Sequence, residues 1–278
     1  MNIQIVDFKD LNAPVKFTNS LQKTGFSVLA NHPVDINLIK TVYADWKSFF
    51  DNNKKNKYIF DPLKQDGFFP FKTENAKDYL LKDLKEFFHF YPWGRYPEEL
   101  GDATFKLYNQ LLELTSVLLK WIQSQSPMHI QSLFSTPLPE MIKGTNRNLL
   151  RIIHYPPLDG TEQKGEIRGS PHEDINLITL LVAGTQPGLQ VKDNKGVWHD
   201  VSCDLGQLAI NVGDMLQEAS AGYYPSTTHR VVNPGTNIEN ESRFSMPLFL
   251  HPRDEIILSE KYTAKAYLDE RLKEIGLK

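Results

Sequence analysis

His172-Glu173-Asp174-Ile175-Asn176-Leu177-Ile178-Thr179-Leu180-Leu181 is the stretch on which the reading of this chain turns. It follows Gly169-Ser170-Pro171 and joins two strand-like runs, Ile167–His172 and Asn176–Val182. An imidazole and a carboxylate two residues apart can turn toward one point. Together they offer a nitrogen and a hard oxygen to a metal ion. In a chain with 8 histidines, His-x-Asp by itself is a weak signal, and the bland reading is polar residues at strand ends. What surrounds the stretch decides between the two.

Outward from it the pattern is β. Short apolar runs alternate with turn residues at Leu149–Tyr155, Leu189–Val191, Val197–Val201, Leu208–Val212, Thr228–Val232 and Arg243–Leu250. Pro156-Pro157, Asp159-Gly160, Asn194–Gly196 and Pro234-Gly235 punctuate them. Many short strands over this length predict a sandwich, barrel or jelly roll. Before residue 148 the chain reads as mostly helical with short strands. Ile3–Val6 and Phe26–Ala30 are strand candidates. Ala13, Phe17 and Leu21 lie on one helix face that stops at Gly25, and Leu38, Ile39, Val42, Trp46 and Phe49 lie on another. Phe105, Tyr108, Leu111, Leu112, Thr115, Leu118, Leu119 and Ile122 give a longer amphipathic helix. An aromatic-dense segment, Tyr58 to Tyr96, reads either as a clamp between helices and core or as a substrate-facing lid. Ala264, Leu268, Leu272 and Ile275 form a last helix, with Thr263 as N-cap and Gly276 as stop. The expected organisation is a helical region over 1–147, a β core over 148–252 and a C-terminal segment with a helix over 253–278.

Composition excludes several classes. With 278 residues and 40% hydrophobic content the chain can bury a sizeable core. A net charge of −3 gives no basic footprint for nucleic acid. No apolar run approaches a membrane span, and Met1–Asp10, with Asp7 and Asp10, does not read as a signal peptide. The single cysteine, Cys203, rules out an internal disulfide and any multi-thiolate metal site, and it reads as a small structural residue. A cytoplasmic location is the expectation; oligomeric state is not readable.

His229, in Thr227-Thr228-His229-Arg230-Val231, supplies a second imidazole from another strand-like run. Two histidines and one carboxylate are the ligand set that binds one face of a non-haem iron and leaves other positions open. Beyond it, Arg243 and Ser245 lie two apart on one strand and so share a face, as a fork and a hydroxyl suited to a carboxylate. Tyr155, in His154-Tyr155-Pro156-Pro157, could donate its phenol to the same anion. In this order, with Gly188-Leu189-Gln190-Val191, Trp198 and Asn211-Val212-Gly213-Asp214, residues 148–252 resemble the oxygenase core of the isopenicillin N synthase-like superfamily of Fe(II)/2-oxoglutarate-dependent dioxygenases. Ile5-Val6-Asp7-Phe8, Gly25-Phe26 and Asn31-His32-Pro33 resemble the region that precedes that core.

The resemblance implies a mainly β fold with flanking helices, built on a double-stranded β-helix (jelly roll). It implies iron ligation by His172, Asp174 and His229, with Arg243 and Ser245 anchoring 2-oxoglutarate and Tyr155 assisting. Many relatives have Asn two residues before this tyrosine, where this chain has Ile153. The implied reaction is oxidation, by default hydroxylation, of a small molecule by O₂, with release of succinate and CO₂. Two alternatives stay open: an oxidase like isopenicillin N synthase that needs no 2-oxoglutarate, and a non-oxidative metalloenzyme on a cupin-like barrel. Elsewhere the bland readings prevail. His32, His251, His89, His129 and His199 read as structural. His154 alternates to the far side of its strand from Tyr155. Glu173 reads as a solvent or supporting hydrogen-bond residue, and Asp214 as a turn residue. Arg95 and Arg168 could meet an acidic substrate but read as members of surface salt bridges.

Overall fold

The computed structural model describes residues 1–75, 79–235 and 239–274. Two facing sheets form its body. The larger has eight strands in the order β1 (Ile5–Asp7), β2 (Phe26–Ala30), β10 (Leu208–Val212), β7 (Ile178–Val182), β12 (Arg243–Leu250), β5 (Leu149–Tyr155), β4 (Glu86–Phe90) and β3 (Gly67–Phe69). The smaller runs β6 (Gly169–His172), β11 (His229–Val231), β8 (Leu189–Lys192) and β9 (Trp198–Asp200). This is the jelly roll, mainly β with flanking helices. The β1–β2 pair is parallel and the other pairs are antiparallel.

Alternation along the strands sorts side chains between two environments. On β12, Phe244, Met246, Leu248 and Leu250 face the helices, while Arg243, Ser245, Pro247 and Phe249 face the space between the sheets. On β5, Leu150 and Ile152 join the helical core, whereas Ile153 and Tyr155 pack inside with Phe69, Phe87 and Val231.

Three helices cover the outer face: α1 (Ala13–Thr24), α2 (Ile36–Phe50) and α3 (Ala103–Gln125). Asp35 caps α2 by accepting from Asn37 N–H. Trp46 of α2 is fully buried among Phe49, Phe50, Phe88 and Tyr96, and its indole N–H donates to Thr104. Short helices α4 (Met128–Gln131) and α5 (Leu138–Met141) follow, then α6 (Asp214–Ala219) and α7 (Ala264–Glu274). Thr263 Oγ1 accepts from Ala266 N–H at the start of α7. Ile275 and Gly276, the expected end of that helix, lie outside the described residues.

Two local readings change. Asp214 is not a turn residue: it opens α6, and its N–H donates to the Asp174 carbonyl. The aromatic segment divides by face. Tyr58, Phe68, Phe88 and Phe90 pack with the helices, while Phe60, Phe69 and Phe87 line the inner cluster. Residues before 148 also supply half of the larger sheet, β1 to β4. Sheet edges need covering, and β2 covers β10 as β4 covers β5.

Candidate metal centre

His172 ends β6 and His229 begins β11, and the two stand directly opposite in the antiparallel register. Pairing across strands thus joins residues far apart in sequence, with ring centroids 4.4 Å apart. Each ring donates Nδ1–H to a carbonyl of its own strand, at Ser170 (2.7 Å) and Thr227 (3.1 Å). That fixes Nε2 of both as the lone-pair nitrogen. The Nε2 atoms lie 3.8 and 3.7 Å from Asp174 Oδ1, too far to hydrogen-bond with it.

Asp174 sits in the turn between β6 and β7. Its Oδ2 accepts from Thr179 Oγ1 (2.5 Å) and Asn211 Nδ2 (2.8 Å), so Oδ1 is the oxygen left for the histidines. Thr179 and Asn211 are themselves paired across β7 and β10. Burial opposes charge on Asp174, but the two imidazoles, Asn211 and Thr179 outweigh it and hold its pKa below the usual value. Burial and the neighbouring His229 lower that of His172. Two neutral imidazole nitrogens and one carboxylate oxygen, all within 4.8 Å of one another, fit a divalent metal ion, and iron is among the metals this donor set suits.

Glycine and aromatic packing hold the centre from outside. Gly25 takes φ 69° at the end of α1, and a Cβ there would press on Pro225 and Thr227. Thr227 Oγ1 donates to the Thr24 carbonyl, which ties the β11 approach to α1. Phe26 meets the His229 ring edge-on at 5.5 Å. Glu173 hydrogen-bonds Thr228, the residue before His229.

Arg243 and Ser245 lie on the same face of the large sheet as Thr179, and both are buried. Arg243 donates Nε–H to the Gln186 carbonyl (2.9 Å), and its Nη1 has no partner. Gly184 makes room for it, since a Cβ there would collide with the guanidinium. Tyr155 stands opposite Arg243 across β5 and β12, with its ring centroid 5.0 Å from Cζ.

Several polar residues of this region were not anticipated. Arg168 forms no surface salt bridge. It is 1% exposed, and its position two and four residues before Ser170 and His172 was the available signal. Arg95 does pair with Asp66. A charged network borders β6. Asp83 accepts from Ser170 N–H and Oγ–H, Lys85 bridges Asp83 and Glu74, and Arg151 forks onto Glu74. His89 accepts from Arg151 Nε–H, and burial and that guanidinium keep its pKa far down. His154 faces away from Tyr155, against Glu86 and Ser242. Cys203 packs near Val28, Leu189 and Ala209, and burial pushes its thiol up to about 12.

Comparison with known proteins bears on this geometry. Residues 146–252 match the model of the 2OG-Fe(II) oxygenase superfamily, and residues 5–112 match that of the non-haem dioxygenase in morphine synthesis N-terminal region. A Shewanella oneidensis protein designated an oxygenase is 48% identical, with a TM-score of 0.90 and 99% of both chains covered. The chain belongs to the 2OG-Fe(II) oxygenase superfamily. A Caulobacter crescentus protein designated a member of the 2OG-Fe(II) oxygenase family is 28% identical over 99% of both chains, with a TM-score of 0.81. The 2-oxoglutarate-dependent dioxygenase 11 of Oryza sativa subsp. japonica is 28% identical over 97% of this chain and 80% of its own length. This chain is accordingly an Fe(II)/2-oxoglutarate-dependent dioxygenase, with O₂ as the other cosubstrate. Among the described residues no helix is long and apolar enough to cross a membrane.

Proposed function

We propose that His172, Asp174 and His229 hold the iron, that Arg243, Ser245 and Tyr155 receive the distal carboxylate of 2-oxoglutarate, and that the enzyme hydroxylates a small molecule in the cytoplasm. The observation that carries the reading is the convergence of two Nε2 atoms and Asp174 Oδ1, each oriented by a second hydrogen bond.

The bound iron and 2-oxoglutarate supply the oxidising chemistry, in which O₂ is consumed, succinate and CO₂ leave, and the substrate gains oxygen. The chain's own part is placement. Held by His172, Asp174 and His229 on one face, the ion would keep its remaining positions for cosubstrates. Thr179 and Asn211 stop Asp174 from rotating, which preserves that face. Arg243 supplies a fork for a carboxylate, and the Ser245 hydroxyl on the same face supplies one more donor. Ile153, Phe87, Phe69 and Val231 form an apolar wall beside them that limits water. The one cysteine fits a reducing compartment.

Oxygen uptake and succinate release, measured with and without 2-oxoglutarate over a panel of small molecules, test the reaction. Arg243→Ala tests the placement. Loss of charge-assisted hydrogen bonds predicts 2-oxoglutarate affinity roughly 30-fold lower or worse, with metal affinity unchanged. An equal loss of both would overturn the role given to Arg243.

A further inference from the structure

Arg168 is a buried cation with no acid paired to it among the described residues. Its side chain is closed off from solvent, with the residue 1% exposed. Nη2 donates to the Glu241 carbonyl at 2.8 Å, while Nε is buried with no partner. The carboxylate of Glu241 does not serve it, because that group accepts from the Gln186 amide instead. No carboxylate among the described residues pairs with Arg168, and the groups that act on it electrostatically are the Arg243 cation and the Tyr155 phenol. Burying an unpaired guanidinium is unfavourable, and a second guanidinium nearby adds repulsion. Arg243 is that second one, also buried and also carrying an N–H without a partner.

The two come from opposite sheets. Arg168 precedes β6 in the smaller sheet, and Arg243 opens β12 in the larger. The hydrogen bond to Glu241, two residues before Arg243, brings the Arg168 head to the start of β12. Two buried cations near enough to repel each other, each with an unused donor, form the elements of a receptor for an anion. A carboxylate held between them relieves the repulsion and satisfies N–H groups that are otherwise orphaned.

We infer that Arg168 is the second guanidinium of the cosubstrate site, so that the distal carboxylate of 2-oxoglutarate is clamped between Arg168 and Arg243. The inference rests on the reading of Arg243 given above. It makes Arg168 a binding residue and not a prop for residues 241–243.

The test is calorimetric titration of Mn(II)-loaded protein with 2-oxoglutarate and with 2-oxobutyrate, which has the same keto-acid head and no second carboxylate. Arg168→Met should weaken 2-oxoglutarate about tenfold or more and leave 2-oxobutyrate and Mn(II) binding unchanged. Arg168→Lys keeps a cation without the fork and should lose about threefold or more, again for 2-oxoglutarate alone. Should the methionine variant fail to fold, the lysine variant decides by the same comparison. If 2-oxoglutarate affinity survives at Arg168 but falls in Arg243→Met, the clamp is wrong and the Arg243 reading stands. If it survives in both, both fall. If both keto acids weaken together at Arg168, its role is structural and the inference is overturned.

Discussion

Asp174 Oδ2 is a carboxylate oxygen held by two uncharged side-chain donors. Thr179 and Asn211 sit on neighbouring strands, so the direction of Oδ1 is set by the sheet and not by the turn that carries the aspartate. Removing such supporting hydrogen bonds commonly costs about 10- to 100-fold in metal affinity. Thr179→Val should therefore weaken Fe(II) by that order in an anaerobic titration while the melting temperature stays within a few degrees. Unchanged iron affinity would show that Oδ1 needs no such support. His251 offers a prediction of another kind. Burial, aided by Arg147, pushes it down to about 4. The folded protein thus keeps it neutral while the unfolded chain protonates it near 6.5. Its contribution to stability is present above that pH and is lost as pH falls toward 4. His251→Gln should flatten the fall in melting temperature between pH 6.5 and 4.5; an identical slope in both proteins would contradict this. At this scale the sequence was informative where chemistry restricts residue type. Imidazole and carboxylate at His172, Asp174 and His229 announce a metal; a lone arginine at 168 announces nothing, because a solvated and a buried guanidinium look alike in a sequence.

At the scale of elements, the junction of β10 and α6 carries more than a turn. Asp214 N–H holds the Asp174 carbonyl, and Met215 N–H holds that of Asn176. Gly213, just before them, packs so closely that a Cβ would overlap the carbonyl and side-chain oxygens of Asn176. Because backbone must shift, Gly213→Ala should destabilise by about 2–3 kcal/mol and weaken metal binding as the ligand turn moves. Thermal denaturation and iron titration on one preparation check this; a melting temperature equal to that of the native chain would refute it. Strand extents were legible because short apolar runs bounded by turn residues are a local signal. Leu149–Tyr155, Leu208–Val212 and Arg243–Leu250 are observed as read. The start of α6 was not, since six residues give too little periodicity to separate a helix from a turn.

Over the whole molecule, the larger sheet, which carries Arg243 and Ser245 and the Thr179 and Asn211 supports of Asp174, is shared between the two halves of the chain. β2 pairs with β10, β4 pairs with β5, and Phe26 packs on His229. A fragment of residues 148–252 would expose both of those strands and the apolar face that α2 and α3 cover. It should show no cooperative unfolding transition and no stoichiometric metal binding. A cooperative transition in calorimetry, or tight iron binding by the fragment, would contradict this.

By itself the sequence determined what local rules and ligand chemistry can express: the β runs of the second half, the helices of the first, and the histidines, aspartate and arginine–serine pair in their order. Tertiary structure alone decided what depends on partners distant in the chain. It placed β1 to β4 in the sheet, set His172 against His229, and buried Arg168 near Arg243 with no acid paired to it among the described residues. Strand pairing and desolvation arise from contacts between segments. A guanidinium's charge is the same in any context, but its energy is set by what surrounds it once the chain has closed.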